Sequence, residues 1–174
     1  LPHDVPRPRR HQDRRQAPEP SVLDGFRNTP DTDPSLAANR MWADAIRSRM
    51  AGSSLGERTV IENTLSDVAA LDRVVAGAVE AGSGWRELGP DARARILHRA
   101  GDILEARRAE LLEVMGAECG KVIEQGDPEV SEAIDFAHYY AERGRELAHV
   151  AGAVPVPARL TVVTPPWNFP VAIP

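Results

Sequence analysis

The sequence predicts an α/β fold, with helices packed around the opening part of a parallel sheet that these residues do not complete. Two observations carry that reading. From Leu36 to about Arg145, apolar residues recur at helical spacing in stretches separated by glycine or opened by Asp-Pro pairs, as amphipathic helices require. After Gly152 the period changes, and the β-branched run Leu160-Thr161-Val162-Val163, with prolines on both sides, reads as a buried strand. A length of 174 residues with 42% apolar content suffices for one domain with a core.

Residues 1–33 carry Pro2, Pro6, Pro8, Pro18, Pro20 and Pro30 among Arg7, Arg9, Arg10, Arg14 and Arg15. Proline fixes φ and removes donors, and the arginines repel one another, so this stretch is expected to be an extended or loosely draped linker. A basic arm for acidic partners is the sharper alternative, but Asp4, Asp13 and Glu19 dilute its charge. Asp33-Pro34 then opens a first helix, with Leu36, Ala43, Ile46 and Met50 on its stripe and an end near Arg49. Gly52-Ser53-Ser54 breaks it, and Thr59-Val60-Ile61 is a possible short strand. Ser66-Asp67 caps a second helix with the stripe Val68, Leu71, Val75 and Ala78, closed by Gly82 and Gly84.

Gly89-Pro90-Asp91 opens a longer helical region. Its apolar face is Ile96, Ala100, Ile103, Leu104, Leu111, Leu112 and Met115, and its wet face Arg93, Arg99, Glu105, Arg108 and Glu113. Gly116 and Gly120 weaken its end. Asp127-Pro128 restarts a helix through about Arg145, with Val130, Ile134, Ala137 and Ala141 on one face. There is no internal repeat. The chain opens on Leu1 and stops after Phe169-Pro170-Val171-Ala172-Ile173, which reads as a piece of something longer.

Charge and cysteine usage exclude whole classes of function. A net charge of −5 is of the wrong sign for a general nucleic-acid footprint. A single cysteine excludes a disulfide framework and a cysteine-rich zinc site, and fits a reducing compartment, so the cytoplasm is the expected location. No apolar run reaches the roughly 18 residues of a membrane span, and the N-terminus lacks the apolar core of a secretory signal.

The chemically informative segment is Thr164-Pro165-Pro166-Trp167-Asn168-Phe169-Pro170, in which the expected strand ends in a rigid turn that exposes one amide side chain. Ligands of open α/β sheets bind beyond the carboxyl ends of strands, so Asn168 could donate to a reacting carbonyl there. The plainer alternative is that Asn168 satisfies the backbone of its own turn.

Pro166-Trp167-Asn168-Phe169-Pro170 resembles the Pro-Trp-Asn-Phe-Pro signature of the aldehyde dehydrogenase superfamily, following a Val-Val run as it does there. Glu118-Cys119-Gly120-Lys121 resembles that family's Glu-x-Gly-Lys element, and Glu132-Ala133-Ile134-Asp135-Phe136-Ala137-His138-Tyr139-Tyr140-Ala141 resembles the helix between the two. The resemblance covers roughly Thr59 to Pro174. A further likeness, in Phe26-Arg27-Asn28-Thr29-Pro30-Asp31-Thr32-Asp33-Pro34 and Ala38-Asn39-Arg40, is to the approach to the aldehyde dehydrogenase half of bifunctional proline-utilisation enzymes.

The resemblance implies that residues 34–174 are the N-terminal portion of an aldehyde dehydrogenase domain, including the first strand of its Rossmann-like NAD-binding domain. It implies a full-length protein that oxidises L-glutamate γ-semialdehyde to L-glutamate with NAD, FAD serving only an upstream proline-oxidising domain absent here. A homo-oligomer is expected of that full-length protein. The implied chemistry is attack of a cysteine thiolate on the aldehyde, hydride transfer to nicotinamide and hydrolysis of the thioester. Asn168 would hold the oxyanion. Backbone groups of Thr164, Pro165, Pro166 and Trp167 would line the nicotinamide-ribose side of the cofactor cleft. Phe169 would flank the aliphatic part of the substrate, and Glu132 would meet its ammonium group.

The departures are equally informative. Cys119 stands in the Glu-x-Gly-Lys element and not at the family's nucleophile position, so it reads as a small half-buried residue near a helix end. The nucleophile, the general-base glutamate and the glycine-bearing cofactor helix would lie beyond Pro174, and these residues alone are expected to be inactive. Histidines are scattered without ligand spacing, so His138 is not a metal ligand and His98 and His149 are surface residues. Gly82-x-Gly84 lacks the rest of a dinucleotide fingerprint. Lys121 reads as a solvated charge, and Trp42 and Trp85 as core or interface anchors. Oxidation of another aldehyde, or a non-enzymatic helical interaction module built on the charged helices from Asp91 to Arg145, are the alternatives. A strand without neighbours would leave a sticky apolar surface around Leu160 to Ile173.

Overall fold

The computed structural model describes residues 10–18 and 26–174. Its regular structure there is entirely helical: α1 (Ala37–Met50), α2 (Glu57–Asn63), α3 (Val68–Glu87), α4 (Pro90–Ala106), α5 (Arg108–Cys119) and α6 (Ile123–Leu147). The α/β expectation, and with it the first strand of a Rossmann-like domain, is therefore corrected. Leu160-Thr161-Val162-Val163 runs without regular structure and lies exposed, as does most of the apolar surface on to Ile173. A strand is held by ladder hydrogen bonds to a neighbour, and among the described residues none pairs with this run.

Two of these six helix starts follow local chemistry directly. Asp67 caps α3 by accepting from the Ala70 N–H at 2.6 Å, and Pro90 sits in the first turn of α4, where its missing donor costs nothing. Asp33-Pro34 does not open α1, which begins at Ala37 with no side-chain cap; Asp33 instead accepts from Ser35 N at 2.9 Å in the turn before it. Gly120, at φ 66°, ends α5 in the left-handed conformation that glycine adopts freely, and the N–H groups of Gly120 and Lys121 both close on the Met115 carbonyl.

Other local readings are overturned. Thr59-Val60-Ile61 belongs to α2, supported by an Arg58–Glu62 pair one turn apart at 2.6 Å. α3 runs through Gly82 and Gly84 to Glu87, because a helical glycine costs only about 1 kcal/mol relative to alanine. α6 begins at Ile123 and carries Pro128 inside it. Early in a helix such a proline forfeits one backbone bond, that to the carbonyl four residues back.

The core joins α1, α5 and α6 through Ile46, Leu112, Met115, Ile123, Val130 and Ile134, with Trp42, Met50, Leu104, Leu111 and Val171 packed against it. α4 lies along α6, and Gly101 lets the two approach: a Cβ there would fall 2.6 Å from His138 Nε2. Ile96 and Ile103, expected on the apolar face, are exposed. α2 and α3 bury no residue, so the stripe Val68, Leu71 and Val75 faces outward.

Two residues assigned to the wet face are buried. Arg108, 2% exposed, donates to Asp127 Oδ1 at 2.9 Å, to the Asp127 carbonyl and Ser131 Oγ at 3.1 Å, and to Glu105 Oε2 at 2.6 Å. Glu113 accepts from Arg49 and Ser53 at 2.6 and 2.8 Å. Burial pushes the Glu113 carboxyl up, but those hydrogen bonds outweigh it and hold its pKa below the usual value.

The same charges bind the N-terminal segment. The linker reading of residues 1–9 and 19–25 lies outside the described residues, but those at 10–18 and 26–33 are pinned to the helices. Arg14 donates to Glu105 Oε1 at 2.5 Å and to Thr32 Oγ1 at 3.0 Å. Thr32 in turn donates its N–H and hydroxyl to Asp127 at 2.6 and 2.7 Å. Burial, then the neighbouring Arg108, pulls the Arg14 pKa below the ordinary arginine value against the opposing pull of Glu105 and Asp127.

Candidate functional site

After Gly152 the chain crosses the surface without regular structure and turns at Pro166, whose carbonyl accepts from Phe169 N at 3.2 Å. That backbone bond closes the turn, so the Asn168 side chain is not needed to do so. Beyond the turn, the N–H groups of Val171 and Ala172 both donate to Glu129 Oε1, at 2.7 and 3.1 Å. Glu129 is 2% exposed on α6, and its other oxygen pairs with Lys121 Nζ. Lys121 also donates to the Asn168 carbonyl at 2.8 Å and stands 4.6 Å from the centroid of the Phe169 ring.

These contacts set the motif against a cleft of about 1170 Å³. Its floor is the face of α6 bearing Glu129, Glu132, Asp135, Phe136, Tyr139 and Tyr140, and one wall holds Lys121, Trp167, Asn168 and Phe169. The other wall is the segment Phe26 to Asp31, hung on Asp135, which accepts from Asn28 Nδ2 at 2.7 Å and Thr29 N at 2.6 Å. Phe26 packs edge-on against Tyr139, and Tyr139 against Tyr140, at 5.4 and 5.3 Å between centroids. The lining is therefore aromatic, with several carboxylates and the Lys121 ammonium, the pattern of a small-molecule site that holds an apolar body and orients charged ends.

Of the residues singled out in the sequence, Trp167, Asn168, Phe169 and Glu132 meet in this cleft, while Thr164, Pro165 and Pro166 are exposed and do not line it. Cys119 lines it too, half-buried at the end of α5. Two residues were misread or missed. Lys121 is no solvated charge, and Glu129 drew no attention. Its position three residues after Gly126 and four before Ala133, both buried in α6, marks it as an acid within a small-residue stripe. That was the available signal.

The histidines also differ from expectation. His98 is buried, not on the surface; its Nδ1 meets His138 Nδ1 at 2.8 Å and its Nε2 meets Glu142 at 2.8 Å. Burial, then the His98 neighbour, lowers the His138 pKa, while the hydrogen bond from His98 lowers that of Glu142. These residues do not line the cleft. Among the described residues no cluster of three metal-ligating side chains exists, and no helix is long and apolar enough to cross a membrane.

The chain matches the aldehyde dehydrogenase family over residues 52–174. It is 36% identical over 103 residues to the bifunctional protein PutA of Escherichia coli, covering 59% of this chain and 8% of that protein. It is 30% identical over 164 residues to 1-pyrroline-5-carboxylate dehydrogenase 1 of Halalkalibacterium halodurans, covering 88% and 29%. To the D-glyceraldehyde dehydrogenase (NADP(+)) of Thermoplasma acidophilum it is 36% identical over 110 residues, covering 58% and 22%. The chain thus spans less than a third of the length of these relatives. No solved structure matches it.

Proposed function

Because the chain belongs to the aldehyde dehydrogenase family, we propose that it forms the N-terminal part of an NAD-dependent enzyme that oxidises L-glutamate γ-semialdehyde to L-glutamate. The observation that carries this reading is the meeting of Asn168, Phe169 and Glu132 in one aromatic, acid-lined cleft. The similarity to proteins named 1-pyrroline-5-carboxylate dehydrogenase and PutA supports the substrate, and the small share of those relatives that is covered supports a longer parent.

In this reading Asn168 donates its side-chain N–H to the oxygen of the aldehyde as negative charge develops there. Its backbone is held from behind by Lys121, and the closing turn makes no demand on its side chain. Phe169 walls the aliphatic part of the substrate and keeps water from it. Glu132, exposed on the cleft floor, accepts from the substrate ammonium. Cys119 is not the nucleophile, which a segment outside these residues supplies, so the 174 residues alone do not turn over aldehyde.

The cofactor fits one stretch only in part. Thr164 to Trp167 is exposed, and Pro165 and Pro166 have no N–H, so this stretch offers carbonyl acceptors suited to ribose hydroxyls and no cradle for phosphates. NAD, when bound, accepts the hydride. In this reading the full-length enzyme is a homo-oligomer that works in the cytoplasm. Oxidation of a different aldehyde is the second reading, favoured by the similarity to a D-glyceraldehyde dehydrogenase.

The test joins these residues to the remaining portion of a homologous aldehyde dehydrogenase and follows NADH. Asn168→Ala should lower kcat by on the order of 10²–10³ with NAD binding retained, and an unchanged rate would remove the oxyanion role. Preference for glutamate semialdehyde should weaken in Glu132→Gln. A better turnover of glyceraldehyde by the unaltered chain would transfer the proposal to the second substrate.

A further inference from the structure

We propose that Glu129 and Lys121 are positioning residues: a buried carboxylate and its ammonium partner that clamp the Asn168 turn at its apex and at its exit and so fix where its amide points. The proposal rests on the reading of Asn168 as oxyanion donor.

The geometry is specific. One oxygen of Glu129 receives the N–H groups of Val171 and Ala172, just after the turn, and the other receives Lys121. Lys121 then reaches across to the carbonyl of Asn168 itself. The turn is held at its apex and at its exit by two side chains that also pair with each other. Nothing regular flanks it, since residues 148–174 contain no helix or strand. Without the clamp, the segment would keep the Phe169 to Pro166 bond and the contacts of Val171 with the core, but not its distance from α6.

A charged acceptor suits this place because two convergent amides and an ammonium crowd the Glu129 carboxylate, which is 2% exposed, and an ionised oxygen bonds such donors about twice as strongly as a neutral one. Lys121 sits at the foot of α5, immediately after Gly120, whose left-handed turn aims the next residue back at α6. This gives the Gly-Lys pair a physical role: the glycine directs the lysine, and the lysine holds the asparagine.

An oxyanion donor must sit within a fraction of an ångström of its target, and a displacement of about 1 Å can cost roughly 100-fold in rate. Lys121→Met should therefore lower kcat of the joined enzyme by about that factor while KM changes much less, and Lys121→Arg should restore most of the loss.

Two spectroscopic readouts on the 174-residue chain separate positioning from plain stability. In Lys121→Met, the side-chain amide signals of Asn168 and the indole signal of Trp167 should shift, with the amides of α4 to α6 unchanged. In Glu129→Ala, hydrogen exchange at Val171 and Ala172 should speed by at least about tenfold over that of α6 amides, as the loss of a charge-assisted bond implies. Should Glu129→Ala loosen the whole bundle, the Lys121 variants decide alone.

Unmoved Asn168 and Trp167 signals in Lys121→Met would overturn the proposal, as would full turnover in that variant when Asn168→Ala is crippled. If Asn168→Ala retains its rate, the oxyanion reading fails and the clamp loses its catalytic purpose, whatever the spectra show.

Discussion

Gly101→Ala tests how closely α4 and α6 are fitted. The added Cβ would stand 2.6 Å from Nε2, 2.7 Å from Cε1 and 3.0 Å from Cδ2 of His138, all inside van der Waals contact. The ring cannot swing aside cheaply, because its Nδ1 is bonded to His98 Nδ1 at 2.8 Å and His98 is bonded to Glu142. Overpacking of this kind costs about 1–3 kcal/mol, and a strained or broken buried hydrogen bond adds about 1 kcal/mol. Against this stands a gain of about 1 kcal/mol in helix propensity. The net expectation is a loss of roughly 1–3 kcal/mol, read from urea unfolding at constant m. His138→Ala in the same chain should recover part of it, as a double-mutant cycle would report. Gly116→Ala is the control: the nearest atoms to its Cβ would be Sδ, Cε and Cγ of Met50, an unbranched side chain that can change rotamer where the bonded His138 ring cannot, so it should cost less. A Gly101→Ala chain as stable as the parent would refute the fitted-ring reasoning.

Arg108→Met should destabilise by about 3–5 kcal/mol, since it removes the cation paired with the buried Asp127 carboxylate and leaves it the two Thr32 donors, and adding Asp127→Asn should return part of that. A loss below about 1 kcal/mol in denaturant titration would place Arg108 among ordinary surface pairs. The pH dependence has a definite sign. His138 is depressed in the folded chain, so the unfolded state takes up the proton first, and its stabilisation is complete above about pH 6.5 and lost as pH falls below that. Glu142 and Glu113 are depressed too, and add losses as pH drops from about 4.5 through their folded values. Thermal melts across acid pH should show the first loss disappear in His138→Gln.

What the sequence disclosed depended on whether the determinant was local. Asp67 as a cap, Pro90 at a helix start and Gly120 at a helix end are decided within a few residues, and each was readable. The stripe Val130, Ile134 and Ala141 was readable for the same reason. Leu160-Thr161-Val162-Val163 has a strand's composition, but a strand also needs a neighbour, and composition cannot supply one. Arg108 and Glu113 read as solvent-facing because charge usually goes there; Glu105 is a local partner of Arg108, but the groups that make burial possible, Asp127, Ser131, Arg49 and Ser53, lie 19 or more positions away. His98 was misplaced likewise. At the candidate site the motif residues Trp167, Asn168, Phe169 and Glu132 were legible, whereas Lys121 and Glu129 became visible only once the turn was seen folded against α6.

One wall of the cleft and the residues that support it are separated from their anchors by more than half the chain: Thr29, in the wall, meets Asp135 across 106 positions, and behind it Thr32 meets Asp127 across 95 and Arg14 meets Glu105 across 91. Such contacts close the largest loops, so they form after the helices have found one another. The same wall is stitched by polar bonds, with little apolar burial of its own, and is the cheapest part to release. The cleft is thus a late product of folding and an early casualty of unfolding: it can be unlaced along one side while α4, α5 and α6 stay shut.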